Sequence, residues 1–473
     1  MRQPLTAPAN PRRIYPLSPR ELSEEQIAVA FAMTSRRPEP FDEIAQQVSA
    51  ERAAGFHERW VVGYGHASVA EHAILHLAVE NISRLAGDAL EDNRLASYTE
   101  KSSRYQVIDP ESFHVPQELD NQPALRQEYI SVCRSLFNTY AELIDGVTTH
   151  LTSQLPQRAD ERDGAYALRL RRLATDACRA ILPAATLTNI GLTANARTLE
   201  HAISKLMSSP LAEEREIGAE LREQGRTITP TLVKYADQNS YLAQRRSITE
   251  ANDFAPAPVS NAAVRLVDHD PHASRKLAAA LLYRQGGAYA DALDQSNSMS
   301  EDQRLDVVNA AVCGIGPHDP APREFELVGY TFEFTFDYGA LREFRRHRMQ
   351  TYLSQSLTVA SGFAVPPLIR QSGMEDVFSQ ATSLADALYG KLRDHSPAVA
   401  QYAVTHSHLQ RVLSRMSLRE CYHLFKLRTS RQAHESIRQP VIEAMRLAVN
   451  VHPELFRHLP LRNAPQWWPF ATA

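Results

Sequence analysis

Apolar residues recur at helical spacing over two long stretches, Pro123 to Leu155 and Ala165 to Ile181, and Pro183 closes the second. Nearer the start, Ser23 is placed to cap an apolar helix running from Ile27 to Met33. A second helical region runs from Phe41 through Val62 and ends at Gly63-Tyr64-Gly65-His66, where the glycines mark a tight turn. Ala73 to Val79 is apolar enough for a buried helix or strand, and Thr186 to Asn195 is a polar, β-branched turn and strand. Asn195 then starts a helix on which Arg197 and His201, four apart, share a face. Residues 1 to 20 are rich in proline and arginine and are expected to be extended or disordered. Ala255-Pro256-Ala257-Pro258-Val259-Ser260 reads as a linker.

The pattern after that linker repeats the one before it. An alanine-rich helix (Leu277 to Tyr283), a turn at Gly316-Pro317-His318, an apolar stretch (Tyr330 to Phe336), an arginine-rich motif (Arg345 to Arg348) and a helix with Arg419 and His423 follow in order. Aligning the halves pairs Arg94 with Arg348, Ser97 with Thr351, Ser102 with Ser356, Arg197 with Arg419 and His201 with His423. The expected organisation is a leader (1–20), a first domain (21–250), a linker (251–262) and a second, diverged domain (263–473). The halves differ in a complementary way. Arg346-His347-Arg348 stands where the first half has Asp92-Asn93-Arg94, whereas Glu100 and Arg104 stand where the second has Ser354 and Thr358.

With 473 residues, 43% of them hydrophobic and 22% charged, the chain has material for two or more cores. A net charge of −4 and a pI near 6.5 argue against a nucleic-acid polymer or a membrane surface as partner, because both demand a basic excess. No run approaches a membrane span and the start lacks the apolar block of a signal peptide, so the expected location is cytoplasmic. Cys133, Cys178, Cys313 and Cys421 are scattered, which fits small core residues and neither a disulfide framework nor a thiolate metal site.

The densest chemistry lies in Arg94 to Tyr105. In an extended segment Glu100, Ser102 and Arg104 project from one face, bringing a carboxylate, a hydroxyl and a guanidinium to one spot. That set suits a small anionic ligand with a phosphate or ring carbonyl and an N–H; a solvated polar loop is the other reading. His66, Ser68 and Glu71 are placed to touch a ligand at the mouth of the apolar stretch that follows. The spacing of His66, Glu71 and His72 differs from His-Glu-x-x-His, and no metal is expected. Arg197 at a helix N-terminus is a candidate anion site, against the blander reading of a surface cation beside a satisfied histidine.

Taken together, these motifs resemble the flavin-dependent thymidylate synthases, whose signature is Arg-His-Arg-x-x-Ser-x-Asn-Glu-x-Ser-x-Arg-Tyr. The first half carries Gly65-His66-Ala67-Ser68 with Glu71-His72, then Ile82-Ser83-Arg84, the signature from Arg94 to Tyr105, and Asn195-Ala196-Arg197-Thr198-Leu199 with His201. The second half is a weaker relative, through Arg346-His347-Arg348, Arg419, His423 and Leu427-Arg428-Thr429. The resemblance implies an α/β (α+β) tandem repeat of two such domains, each a small mixed sheet with helices. It also implies methylation of dUMP to dTMP with FAD, NADPH and methylenetetrahydrofolate, and no cysteine nucleophile.

By the same resemblance, Glu100, Ser102, Arg104, Arg197 and Arg346 bind substrate, and Arg197, Ser102 and Glu100 carry the chemistry. Ser68, Glu71, Arg94, Asn195, His201, His347 and Arg348 bind the flavin. A homodimer acting as a pseudo-tetramer would then build each site from both kinds of half, giving fewer sites than repeats. The family's glutamine ahead of Arg-His-Arg is Ala89 in one half and Glu343 in the other, and its asparagine is Thr99 and Leu353. These departures leave open a relative acting on another pyrimidine nucleotide, and the split signature leaves open a non-catalytic flavin-binding scaffold.

Overall fold

The two halves build the same succession of elements in the computed structural model, which describes residues 13, 15–35, 37–63, 67–250 and 263–470. In the first half a 3-10 turn (Ala67–His72) leads into β1 (Ile74–Ser83), the helix Arg84–Glu91 and β2 (Ala96–Glu100). The long helices Pro123–Gln154 and Asp163–Cys178 follow, then β3 (Leu187–Asn195) and the helix Ala196–Met207. The second half opens with β4 (Val264–His269). The 3-10 turn Arg323–Leu327, β5 (Gly329–Asp337), the helix Tyr338–Phe344 and β6 (Thr351–Ser354) come next, and β7 (Leu409–Ser417) and the helix Leu418–Arg428 close the series. The sheets run β1-β3-β2 and β4-β5-β7-β6, and every pairing with a described register is antiparallel.

Local chemistry explains the repetition. Ser23 caps the helix Glu24–Met33 in a capping box with Gln26, as its position suggests. The helices that leave the sheets are capped alike, the Thr198 amide donating to the Asn195 side chain (2.8 Å) and the Glu420 amide to Ser417 (3.2 Å). Main-chain bonds match as well, Ala196 to Ala73 (2.9 Å) and Leu418 to Val328 (2.8 Å). The aligned pair Ser97 and Thr351 faces the aligned pair Thr193 and Arg415 across β2–β3 and β6–β7. In β5 the inward residues are Tyr330, Phe332, Phe334 and Phe336, all buried, a period-two pattern that packs one sheet face against Leu418, Val441 and Met445.

The described residues fall into two compact units, the first drawn from 1–80, 89–101 and 189–251, the second from 81–88, 102–188 and 252–473. Segments of both halves therefore meet inside the second unit, and they meet reciprocally. Ala184 donates to Val404 (2.8 Å) and His406 to Leu182 (3.0 Å); Ala185 donates to Tyr402 (3.1 Å) and Ser407 to Ala180 (2.8 Å). Exchanging equivalent residues turns each bond into its mate, and the antiparallel bridge Pro183–Thr405 lies between them, as a pseudo-two-fold axis requires. Beside it Asp88 accepts from Tyr338 Oη (2.6 Å) and Arg342 Nε (3.0 Å) and pairs with Arg345 (2.7 Å).

Two expectations change. β2 stops at Glu100 and a turn follows, with the Arg104 amide donating to Ser102 Oγ (3.3 Å), so Glu100, Ser102 and Arg104 do not share one extended face. Glu100 belongs to the first unit, Ser102 and Arg104 to the second. Cys313 is exposed, unlike the other three cysteines, because it sits beyond the end of the helix Glu301–Val312. His66 and the linker 251–262 lie outside the described residues.

Candidate functional site

In the first unit the helix Ala196–Met207 carries Arg197, His201 and Lys205 one turn apart on one face. Arg197 pairs with Glu71 on the neighbouring 3-10 turn (2.5 Å), which also bears the exposed Ser68. Lys205 holds the loop ahead of Arg94 through Asp92, at 2.8 Å to its carbonyl and 2.7 Å to its carboxylate. Asn195 spends its side-chain oxygen on the helix cap, and Glu100, half-buried, sits opposite Ile190 at the end of β2. Ser68, Glu71, Arg94, Asn195, Arg197 and His201 thus all belong to one unit.

In the second unit a continuous polar chain joins a residue of the first signature to one of the second. Arg104 binds Asp176 with two parallel bonds of 2.9 Å. Asp176 also pairs with Arg179 (3.2 Å), and Arg179 with Glu343 (3.6 Å). Glu343 pairs with Arg428 (3.3 Å), whose Nε donates to His347 Nε2 (2.9 Å). His347 Nδ1 lies 3.2 Å from Glu420, with His423 3.4 Å from the same carboxylate oxygen. Arg346 is exposed at the start of this chain's second-half segment, and Arg348 is half-buried.

Burial opposes the charge on Arg104, but hydrogen bonding and the charge of Asp176 more than restore it, leaving its pKa raised. Burial lowers the Arg428 pKa; Glu343 pulls against this, while the guanidiniums of Arg346 and Arg104 push further down. Arg428 therefore lies within reach of the charges of Arg104 and Arg346. Burial also raises Asp337 and lowers His434, which pairs with Asp176 at 3.7 Å, so both of these tend toward neutrality.

His347, Glu420 and His423 place three potential ligand atoms within 4.8 Å of one another. Arginine can only donate, so its bond to His347 Nε2 forces the proton onto Nδ1, which donates to Glu420 and has no lone pair for a metal. Burial lowers the His347 pKa and keeps this neutral form. Both ring nitrogens are spent inside the protein, leaving none for a flavin. A cavity of about 510 Å³ adjoins the cluster, lined by Glu326, Met349, Arg419, Glu420, His423 and Lys426. A larger one, about 700 Å³, is lined by Pro317, Arg457, Trp468 and Phe470 and holds none of the expected site residues.

Sequence reasoning missed Asp176, Arg179 and Glu420 and noted Arg428 only within the run Leu427-Arg428-Thr429, with no role assigned to it. One local signal exists, the opposite charges of Asp176 and Arg179 three apart at the close of an amphipathic helix.

A family model described as thymidylate synthase complementing protein matches residues 20–231 and 265–454. A UPF0159 protein of Chlamydia muridarum is 31% identical over 426 residues, spanning 86% of this chain and 80% of that protein. A flavin-dependent thymidylate synthase of Thermococcus onnurineus is 30% identical over 155 residues, 32% of this chain and 53% of that protein. A solved UMP/dUMP methylase, PolB from Streptomyces cacaoi bound with 5-Br dUMP, aligns with a TM-score of 0.34 at 19% identity, covering 41% of this chain and 93% of that one.

Proposed function

Because the chain belongs to the flavin-dependent thymidylate synthase family, matched across both of its halves, we propose that it is an FAD-dependent methyltransferase converting dUMP to dTMP. Methylenetetrahydrofolate would supply the carbon and NADPH the reducing equivalents, in a cytoplasmic homodimer. One observation carries the substrate class. Three guanidiniums, Arg104, Arg179 and Arg428, alternate with two carboxylates, Asp176 and Glu343, in a run of ion pairs built by both halves, and the exposed Arg346 lies three residues beyond Glu343. The guanidiniums outnumber the carboxylates, which suits a phosphate monoester, carrying roughly −1.5 to −2 at neutral pH.

On this reading Ser102, Arg104 and Arg346 hold the phosphate. In the first unit Arg197 has the chemistry to polarise a ring carbonyl as C5 becomes nucleophilic, and Glu100 to accept a ring N–H. The first-unit set fits a flavin in its chemistry. Arg94 and His201 suit the diphosphate, and Ser68, Glu71 and Asn195 the ring edge, which needs both donors and acceptors. In the second unit Arg348 has the chemistry for a flavin phosphate, whereas both ring nitrogens of His347 are engaged within that unit. A bound flavin would supply the hydride; the side chains here bind, orient and polarise.

Glu343, a carboxylate where the family has glutamine, favours a second reading, a different pyrimidine nucleotide as substrate. The test is NADPH oxidation by purified protein with methylenetetrahydrofolate and each pyrimidine monophosphate, with dTMP identified by mass. Turnover with dUMP supports the main reading, turnover with another nucleotide alone supports the second, and a colourless protein that takes up no FAD defeats both.

A further inference from the structure

The repeat supplies two sets of corresponding positions, one wholly within the second unit and the other divided between the units, and the charged side chains fill only the first. The shared hydrogen bonds and registers fix the correspondence: the cap and main-chain bonds of Ala196 and Leu418, the bridges Phe113–Thr186 and Phe363–His408, and the reciprocal contacts about Pro183 and Thr405. By it Arg104 corresponds to Thr358, Arg179 to Gln401, Arg346 to Asp92 and Arg428 to Leu206. The two carboxylates fare alike, Asp176 corresponding to Ala398 and Glu343 to Ala89. All four cations and both of their counter-charges are absent from the mate set together. The single charge there, Asp92, is an acid and is tied to Lys205 (2.7 Å).

Threonine, glutamine and leucine offer a dianion no compensating charge, and an acid in place of Arg346 repels it. We infer that each chain binds one nucleotide monophosphate, at the site joining Arg104 and Arg179 of the first half to Arg346 and Arg428 of the second, and not two. This rests on reading that site as nucleotide-binding. The second half is then needed for binding although its own copy of the Glu-x-Ser-x-Arg motif is lost, and the first half is needed although its copy of Arg-His-Arg is lost.

The decisive measurement is equilibrium dialysis of radiolabelled dUMP against the purified full-length protein. One equivalent bound per chain at saturation is expected. Two equivalents overturn the inference and leave the proposed function standing, whereas no saturable binding overturns both. Arg179→Ala is expected to weaken binding at least 100-fold and leave no second class of site, while Arg179→Lys restores part of the affinity. An Arg179→Ala protein that retains a full equivalent at unchanged affinity places the nucleotide elsewhere. Should that variant misfold by circular dichroism, the stoichiometry of the unaltered chain still decides.

Discussion

Arg197 and Arg104 are both ion-paired arginines, yet their surroundings divide their tasks. The Arg197 side chain is 52% exposed against Glu71, so removing it disturbs little packing; that of Arg104 is 27% exposed and locked to Asp176. Arg197→Ala should therefore cut kcat by about 100-fold or more while stability stays within about 0.5 kcal/mol, measured by steady-state kinetics and thermal melting. Arg104→Ala should raise KM and also cost about 1–3 kcal/mol, because it strands a partly buried carboxylate. A third residue contributes to acid sensitivity. His452, buried beside His269 and bonded to Tyr330 Oη (2.9 Å), is driven down to about 4, chiefly by burial. An unfolded histidine takes its proton near 6.5. Between those values the unfolded chain holds more protons, so stability falls as pH falls, by about 2 kcal/mol once solvent screening is discounted. His452→Gln should flatten the melting temperature between pH 6.5 and 4; an unchanged slope would assign the effect to other histidines.

Elements were the most legible scale. Ser23 and Asn195 announce themselves because caps are set by neighbours in the chain, whereas Tyr330 to Phe336 read only as an apolar stretch although its aromatics alternate as in a strand. Ser417 does the same work for the helix carrying Arg419 and His423, so Ser417→Ala should cost about 1 kcal/mol and Ser417→Asp almost nothing, read from paired thermal melts. The polar chain of the second unit was illegible for the opposite reason. Arg104 finds Asp176 across 72 positions and Arg428 finds Glu343 across 85, and no local pattern encodes such partners. Where reasoning leaned on local geometry without caps or periodicity, as with an extended Glu100 to Arg104, a serine turn intervened.

At the scale of the molecule, the repeat was legible but its asymmetry only partly so. Complementary losses in the two signatures were visible; that Asp88 faces Arg342, its own counterpart in the repeat, was not. Asp88 also holds Arg345 and Tyr338, and the side chains of Asp88, Arg342 and Arg345 are all under 15% exposed. Asp88→Ala should thus lose about 3–5 kcal/mol by leaving two guanidiniums buried without their carboxylate, seen as a fall in melting temperature far larger than that of Ser417→Ala. A loss no larger than the cap variant's would show that solvent already reaches those arginines.

The four reciprocal bonds about Pro183 and Thr405 join main-chain atoms, and such contacts depend little on which amino acid supplies them. A duplicated ancestor fastened in this manner could let either copy drift without loosening the fastening. Divergence was therefore cheap at that seam, and natural selection was free to concentrate the surviving chemistry on one side.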